Sequence, residues 1–255
     1  MNIPLQTLSA RPIGGAAVAL LLGAVVLTGC DFTADNPGPT PDDELSQEIS
    51  LPSVVAGMER ATGEALNYIA YEGGAVSHEI NAAGSIGNFG ISTSERRGDV
   101  NPSGGDLTWE LGHRARFTAE DGVERMRDVL GDDFSSSELA AEGLLWVGYA
   151  NRLLGENFCK AVIDGGSAQP IDEHFTRAEG AFTEALQIAR NVGNTEYEHA
   201  ALAGRASVRV HLGNFDGAVA DAEQVPRDFE YRMPYFSDAE EQYNRIYWAN
   251  AFTPY

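Results

Sequence analysis

From Leu51 onward, apolar residues recur every three or four positions instead of alternating, the period of one helix face. Val54, Val55, Met58, Ala61, Ala65, Leu66 and Ile69 make the first stripe. Val123, Met126, Val129 and Leu130 continue the habit within Phe117–Leu130. Further helical segments are predicted over 138–158, 172–192, 196–212 and 216–225. No pair of runs combines a period of two with a tight turn, so no strand hairpin is expected and the pattern predicts an all-α fold. One region breaks the rhythm. His78 to Glu110 (HEINAAGSIGNFGISTSERRGDVNPSGGDLTWE) is rich in glycine and carries no helical stripe, so it predicts a long irregular loop.

The last helices share an internal motif. Ala178, Phe182, Ala185 and Leu186 fall on one face, followed by Leu202 and Ala206. The turn Leu212-Gly213-Asn214-Phe215 comes next, then Ala218, Ala222 and Pro226. This resembles the tetratricopeptide helix–turn–helix, in which small residues let paired helices approach closely and a glycine ends the first helix. Leu144 to Phe158 (LLWVGYANRLLGENF) resembles another first helix, with Gly148 in its middle and Gly155 near its end. Stacks of this kind present a concave binding surface or serve as scaffold alone.

The chain ahead of Leu51 has a different character. Ile13 to Leu27 is fifteen uncharged residues, which as a helix reach roughly 22 Å against a hydrocarbon core of ~30 Å. A weakly basic start at Arg11, a short apolar middle and small residues at its end predict a secretory signal peptide over 1–29. Leu27-Thr28-Gly29-Cys30 resembles a bacterial lipobox, which implies acylation of the Cys30 thiol and cleavage before it. Asp31 onward, with Pro37, Pro39, Pro41 and several acids, predicts a non-helical tether over 30–50.

Charge changes the picture further. The 255 residues carry a formal charge of −21, and loss of the leader with its single Arg11 takes this to −22. No basic face remains for nucleic acid or for anionic lipid, so membrane attachment falls to the covalent anchor. With Cys30 acylated, Cys159 is the single remaining cysteine, so no intrachain disulfide can form and packing must hold the core.

Taken in order, the lipobox Cys30, the NPGPTPDDEL behind it, the helix through VVAGMERATGEAL, LLGENFCKAVIDGG and ALAGRASVRVHLGNFDGAVADAEQVPRDFEY resemble the SusD/RagB family. The resemblance covers most of Cys30 to Tyr235 and corresponds to the N-terminal part of the family fold, the C-terminal half being absent. It implies an α-helical SusD-like domain over 51–255 and a non-catalytic lipoprotein on the surface of the outer membrane. Such a protein binds a glycan or peptide for import through a SusC-like TonB-dependent transporter. The alternative is a tetratricopeptide-type adaptor lipoprotein of the periplasm, acting on other proteins. A lipid-anchored hydrolase is a third possibility.

Candidate chemistry is sparse. Within the glycine-rich loop, Phe89 and Trp109 are the candidate ligand-stacking residues, although either ring would equally serve to anchor the loop to the core. Asp99, Asn101, Ser103, Gly104 and Glu110 fall at the spacing of an EF-hand calcium loop. Pro102 inside it, Ser103 as third ligand and Asp106 at the usual apolar position argue against that site, and no metal is assigned. His78-Glu79 begins a zinc-protease motif, but Ala82 stands where the second histidine belongs. No G-x-S-x-G, P-loop or dinucleotide fingerprint occurs, so no catalytic residue or cofactor is predicted.

Overall fold

The computed structural model describes residues 41–80, 94, 97–99, 102–236 and 243–247. The leader, Cys30, most of the tether and Phe89 lie outside the described residues. The compact unit begins at Asp42. Short helix α1 (Asp42–Leu45) and a 3-10 turn at Glu48–Ser50 lead into α2 (Leu51–Val76). Then come α3 (Pro102–Leu130), a 3-10 segment Gly131–Ser136, and α4 (Glu138–Asn157). The series closes with α5 (Asp172–Val192), α6 (Thr195–His211) and α7 (Phe215–Ala222). Among the described residues there is no strand, only one isolated bridge between Ala161 and Gln169, and the fold is all-α.

Local chemistry sets most boundaries. Ser137, Asn194 and Asn214 cap α4, α6 and α7, each side-chain oxygen accepting a backbone N–H of the first turn. Gly193 and Gly213 close α5 and α6 with φ of 76° and 74°, left-handed backbone that side-chain-bearing residues avoid. Two expectations need correction. The irregular stretch was expected to reach Glu110, yet α3 starts at Pro102, where proline fits the first helical turn because its missing N–H has no partner there anyway. That start also removes the calcium loop: over Ser103–Glu110 a helix rises roughly 10 Å, so those residues cannot wrap one ion. The tether likewise ends early, since α1 falls inside it and Asp42 pairs with Arg125 of α3 at 2.7 Å.

Packing follows a regular scheme. Helices pair in sequence, α2 with α3, α4 with α5 and α6 with α7, and each pair also packs on the next. In addition α4 contacts both α2 and α6, so the first helices of the pairs share one face. Phe182 of α5 is fully buried at the junction of α4 and α6. A Cβ at Gly148 or at Gly204 would lie 2.5 Å from its ring, so only glycine permits this approach. The main core joins Leu51, Met58, Met126, Leu145 and Phe182 with their neighbours, and a smaller cluster around Ile69 and Leu111 lies beside it. No described helix is long and apolar enough to cross a membrane.

Candidate functional site

After α7 the chain turns at Pro226 and runs back, without helix or strand pairing, across the shared face of the first helices. From Phe229 to Phe236 its burial alternates, with Phe229, Tyr231, Met233 and Tyr235 half-buried and Glu230, Arg232, Pro234 and Phe236 exposed. Phe229 meets His199 of α6 edge to face at 5.4 Å. Tyr231 stacks on Tyr149 of α4 at 5.8 Å and stands 6.0 Å from Trp146. Met233 and Tyr235 reach Gly63 of α2, whose carbonyl accepts the Tyr235 hydroxyl at 3.0 Å. Six steps at roughly 3.3 Å cover the two interhelical spacings of about 10 Å that this path crosses, so the segment is extended. We call 226–236 the strap. Beyond it, Asn67 of α2 holds the main chain of Tyr243 and Arg245 at 3.0 and 2.7 Å.

Between strap and helices lies a cleft of about 360 Å³. Thr62 and Leu66 come from α2, Ala203 from α6, and Trp146, Tyr149, Arg152, Leu153 and Glu156 from α4; Phe229, Tyr231 and Met233 close the strap side. The helical period places the α4 group on one face. Trp146 is almost fully buried, and its Nε1–H has no hydrogen-bond partner among the described residues. Tyr149 donates to the carbonyl of Ala200 at 3.1 Å, and burial pushes its hydroxyl up to about 12. Burial raises Tyr231 as well, with Tyr149, Glu142 and Glu59 adding to it, so both phenols stay neutral donors around neutral pH. Arg152 and Glu156 pair at 2.7 Å on the rim. Three aromatic side chains and one ion pair suit a ligand with a flat or apolar part and hydrogen-bonding groups.

Two further hollows, of about 280 and 330 Å³, flank α2. The first lies between Glu59, Asn67 and Tyr235, the second between Val76, Thr108 and Phe158. Neither gathers aromatic faces as the cleft does.

A second polar assembly is internal. His174 of α5 is fully buried and lies 2.9 Å from Asn151 Oδ1 through its Nδ1. The Asn151 amide donates to Glu120 and to the Val147 carbonyl, which fixes Oδ1 toward the imidazole and puts the histidine proton on Nδ1. Nε2 of His174 is buried with no partner among the described residues, as is Nε2 of His113, whose ring is 5.8 Å away. Arg116 bridges Glu120 and Asp164. Protonation at Nε2 would create a buried donor with nothing to accept it. Burial, then the positive field of His113, Arg116 and Arg177, lowers His174 to about 4. His113 is lowered too, first by burial and then by Arg116. No three described His, Cys, Asp or Glu side chains gather as metal ligands. The assembly joins α3, α4, α5 and the 158–170 loop as neutral imidazoles inside an ion-paired frame.

Of the candidates named from sequence, Trp109 sits at the start of α3, half-buried, 4.2 Å from His113 and 5.0 Å edge-on from Phe158. It is not among the residues lining the cleft. Cys30 and Phe89 lie outside the described residues. The cleft residues went unnoticed because Trp146 and Tyr149 read as helix core. The alternation Phe229, Tyr231, Met233, Tyr235 was the available signal. Comparison with known proteins finds no family model, no curated protein and no solved structure that matches the chain.

Proposed function

We propose that this protein is a lipid-anchored, non-catalytic capture protein of the SusD/RagB type, built from tetratricopeptide-like helix pairs. It holds a nutrient at the outer membrane for a SusC-like TonB-dependent transporter. The observation that carries the reading is the cleft, where Trp146, Tyr149 and Tyr231 converge on the face shared by α2, α4 and α6. The paired helices and the close approaches at Gly148 and Gly204 support the tetratricopeptide likeness. Capture there needs stacking and hydrogen bonding alone, with no bond made or broken.

The test is calorimetric titration of the purified protein with oligosaccharide and peptide panels. One class binds, and Tyr149→Phe, which keeps the ring but removes the bond to Ala200, leaves affinity within a few-fold, whereas Arg152→Ala weakens it. Failure of both panels defeats the reading. The periplasmic adaptor remains as a second reading, favoured by the strap, because a polypeptide segment already lies across the shared face. Affinity isolation from native membranes separates the two. Recovery of a large β-barrel supports nutrient uptake, and recovery of soluble periplasmic proteins alone supports the adaptor.

A further inference from the structure

We propose that the groove across α2, α4 and α6 takes an extended peptide with apolar or aromatic side chains at alternate positions and basic or uncharged residues between them, the strap being the chain's own stand-in. The inference rests on the capture reading above and narrows its ligand from two classes to one.

The strap shows what the groove accepts. Alternate residues point into it and their neighbours face solvent, the signature of an extended chain laid on a surface. Its attachment is slight. From Glu230 to Phe236, no main-chain group bonds to another main-chain group among the described residues. Among the described residues, half-buried side chains and a hydrogen bond from Tyr235 to Gly63 hold it.

The fit is also incomplete. About 360 Å³ stays open beside Phe229, Tyr231 and Met233. A peptide with bulkier side chains would bury apolar wall that the strap leaves bare. Charge points the same way. Glu59 and Glu142 stand near Tyr231 and the whole chain is at −21, while the strap sets Arg227 and Arg232 against Asp228 and Glu230 and so carries no net charge. A peptide with lysine at the outward positions therefore meets an attraction that the strap, neutral overall, does not.

The strap competes as a tethered ligand, at an effective concentration in the millimolar range for a short connection. Any change that loosens it must strengthen binding of the same sequence added from outside. Two fluorescent probes serve: a peptide of sequence PRDFEYRMPYF, and the same peptide with lysine for its Asp and Glu. Anisotropy titrations use the intact protein, Tyr231→Ala and Tyr235→Phe, with an oligosaccharide panel in parallel.

The lysine probe is expected to bind the intact protein more tightly than the native-sequence probe. Both are expected to bind Tyr231→Ala at least tenfold more tightly than wild type, with Tyr235→Phe in between. Should Tyr231→Ala lose its helical circular dichroism, Tyr235→Phe decides, since it removes one hydrogen bond and no packing. Faster hydrogen exchange at 229–236 in the intact protein on adding the lysine probe shows displacement directly. Peptide affinity indifferent to both variants overturns the proposal. Binding of oligosaccharide without peptide overturns it and leaves the capture reading standing; binding of neither removes both.

Discussion

The ring of Phe182 fills space left by two absent side chains, Gly148 on α4 and Gly204 on α6. Alanine in a helix gains up to about 1 kcal/mol over glycine by propensity. A Cβ 2.5 Å from a fully buried ring costs roughly 1–3 kcal/mol in overpacking, so strain wins. Gly148→Ala and Gly204→Ala are expected to lower stability by about 1–2 kcal/mol in urea titration. Gly180→Ala on α5, with nothing within 4 Å of the new carbon, is expected to raise it by up to about 1 kcal/mol. If all three shift stability alike, the close approach is not what the glycines serve. Asp221 makes the same point for charge. Its buried carboxylate accepts two bonds from Arg205 and one from Arg209, all at 2.7 Å, while Arg209 also holds Glu179. Asp221→Ala leaves two part-buried guanidiniums without that partner, a loss expected at about 3–5 kcal/mol. A loss below 1 kcal/mol would mean that solvent already screens the network. Gly148 was legible in the sequence as a small residue in mid-helix, whereas Gly204 stood out only once α6 was packed against Phe182. The Asp221 network was not legible, because three helices must assemble before its charges meet.

At the scale of elements, the buried imidazoles make helix assembly depend on pH. His174 titrates near 6.5 when unfolded and near 4 in the fold, so the unfolded chain gains its proton first as pH falls. Its contribution is intact above about pH 6.5 and is lost progressively toward pH 4. Between pH 6.5 and about pH 5 the loss from this residue comes to roughly 1.5 kcal/mol, with His113 acting in the same direction. Urea midpoints should fall over that interval in the wild type and fall less in His174→Gln, whatever that variant's stability at neutral pH. Parallel curves would show that His174 does not carry the slope. Helix existence and order were readable from periodicity, because stripes such as Val54 to Ile69 and Ala178 to Leu186 repeat over several turns. The start of α3 was hidden by Gly104 and Gly105, which penalise an isolated helix but are tolerated when the rest of a long helix packs on α2 and α4. The strap was hidden for another reason: four apolar residues at a period of two make a strand only with a partner, and here the partner is a row of helices.

For the whole molecule the deciding quantity is charge. At −21, and at −22 if the proposed leader with Arg11 is removed, the chain is repelled by the anionic surface of a bilayer. Net charge therefore opposes a peripheral electrostatic mode of attachment, and no described helix is apolar and long enough to span. In the lipoprotein reading proposed above an acylated Cys30 holds the protein on the membrane, and hydrocarbon burial is indifferent to ionic strength whereas ion pairing is screened within about 10 Å at 0.1 M salt. One chain binds only marginally, so durable attachment also requires a second acyl group on the mature terminus. The expected outcome is retention of the wild type in the membrane pellet through molar-salt washes, release by detergent, and passage of Cys30→Ser into the soluble fraction. Mass spectrometry of the retained protein should give a chain starting at Cys30 with more than one acyl group. Stripping of the wild type by salt, or persistence of Cys30→Ser in the pellet, would place the hold elsewhere and remove the anchor on which outer-membrane capture depends.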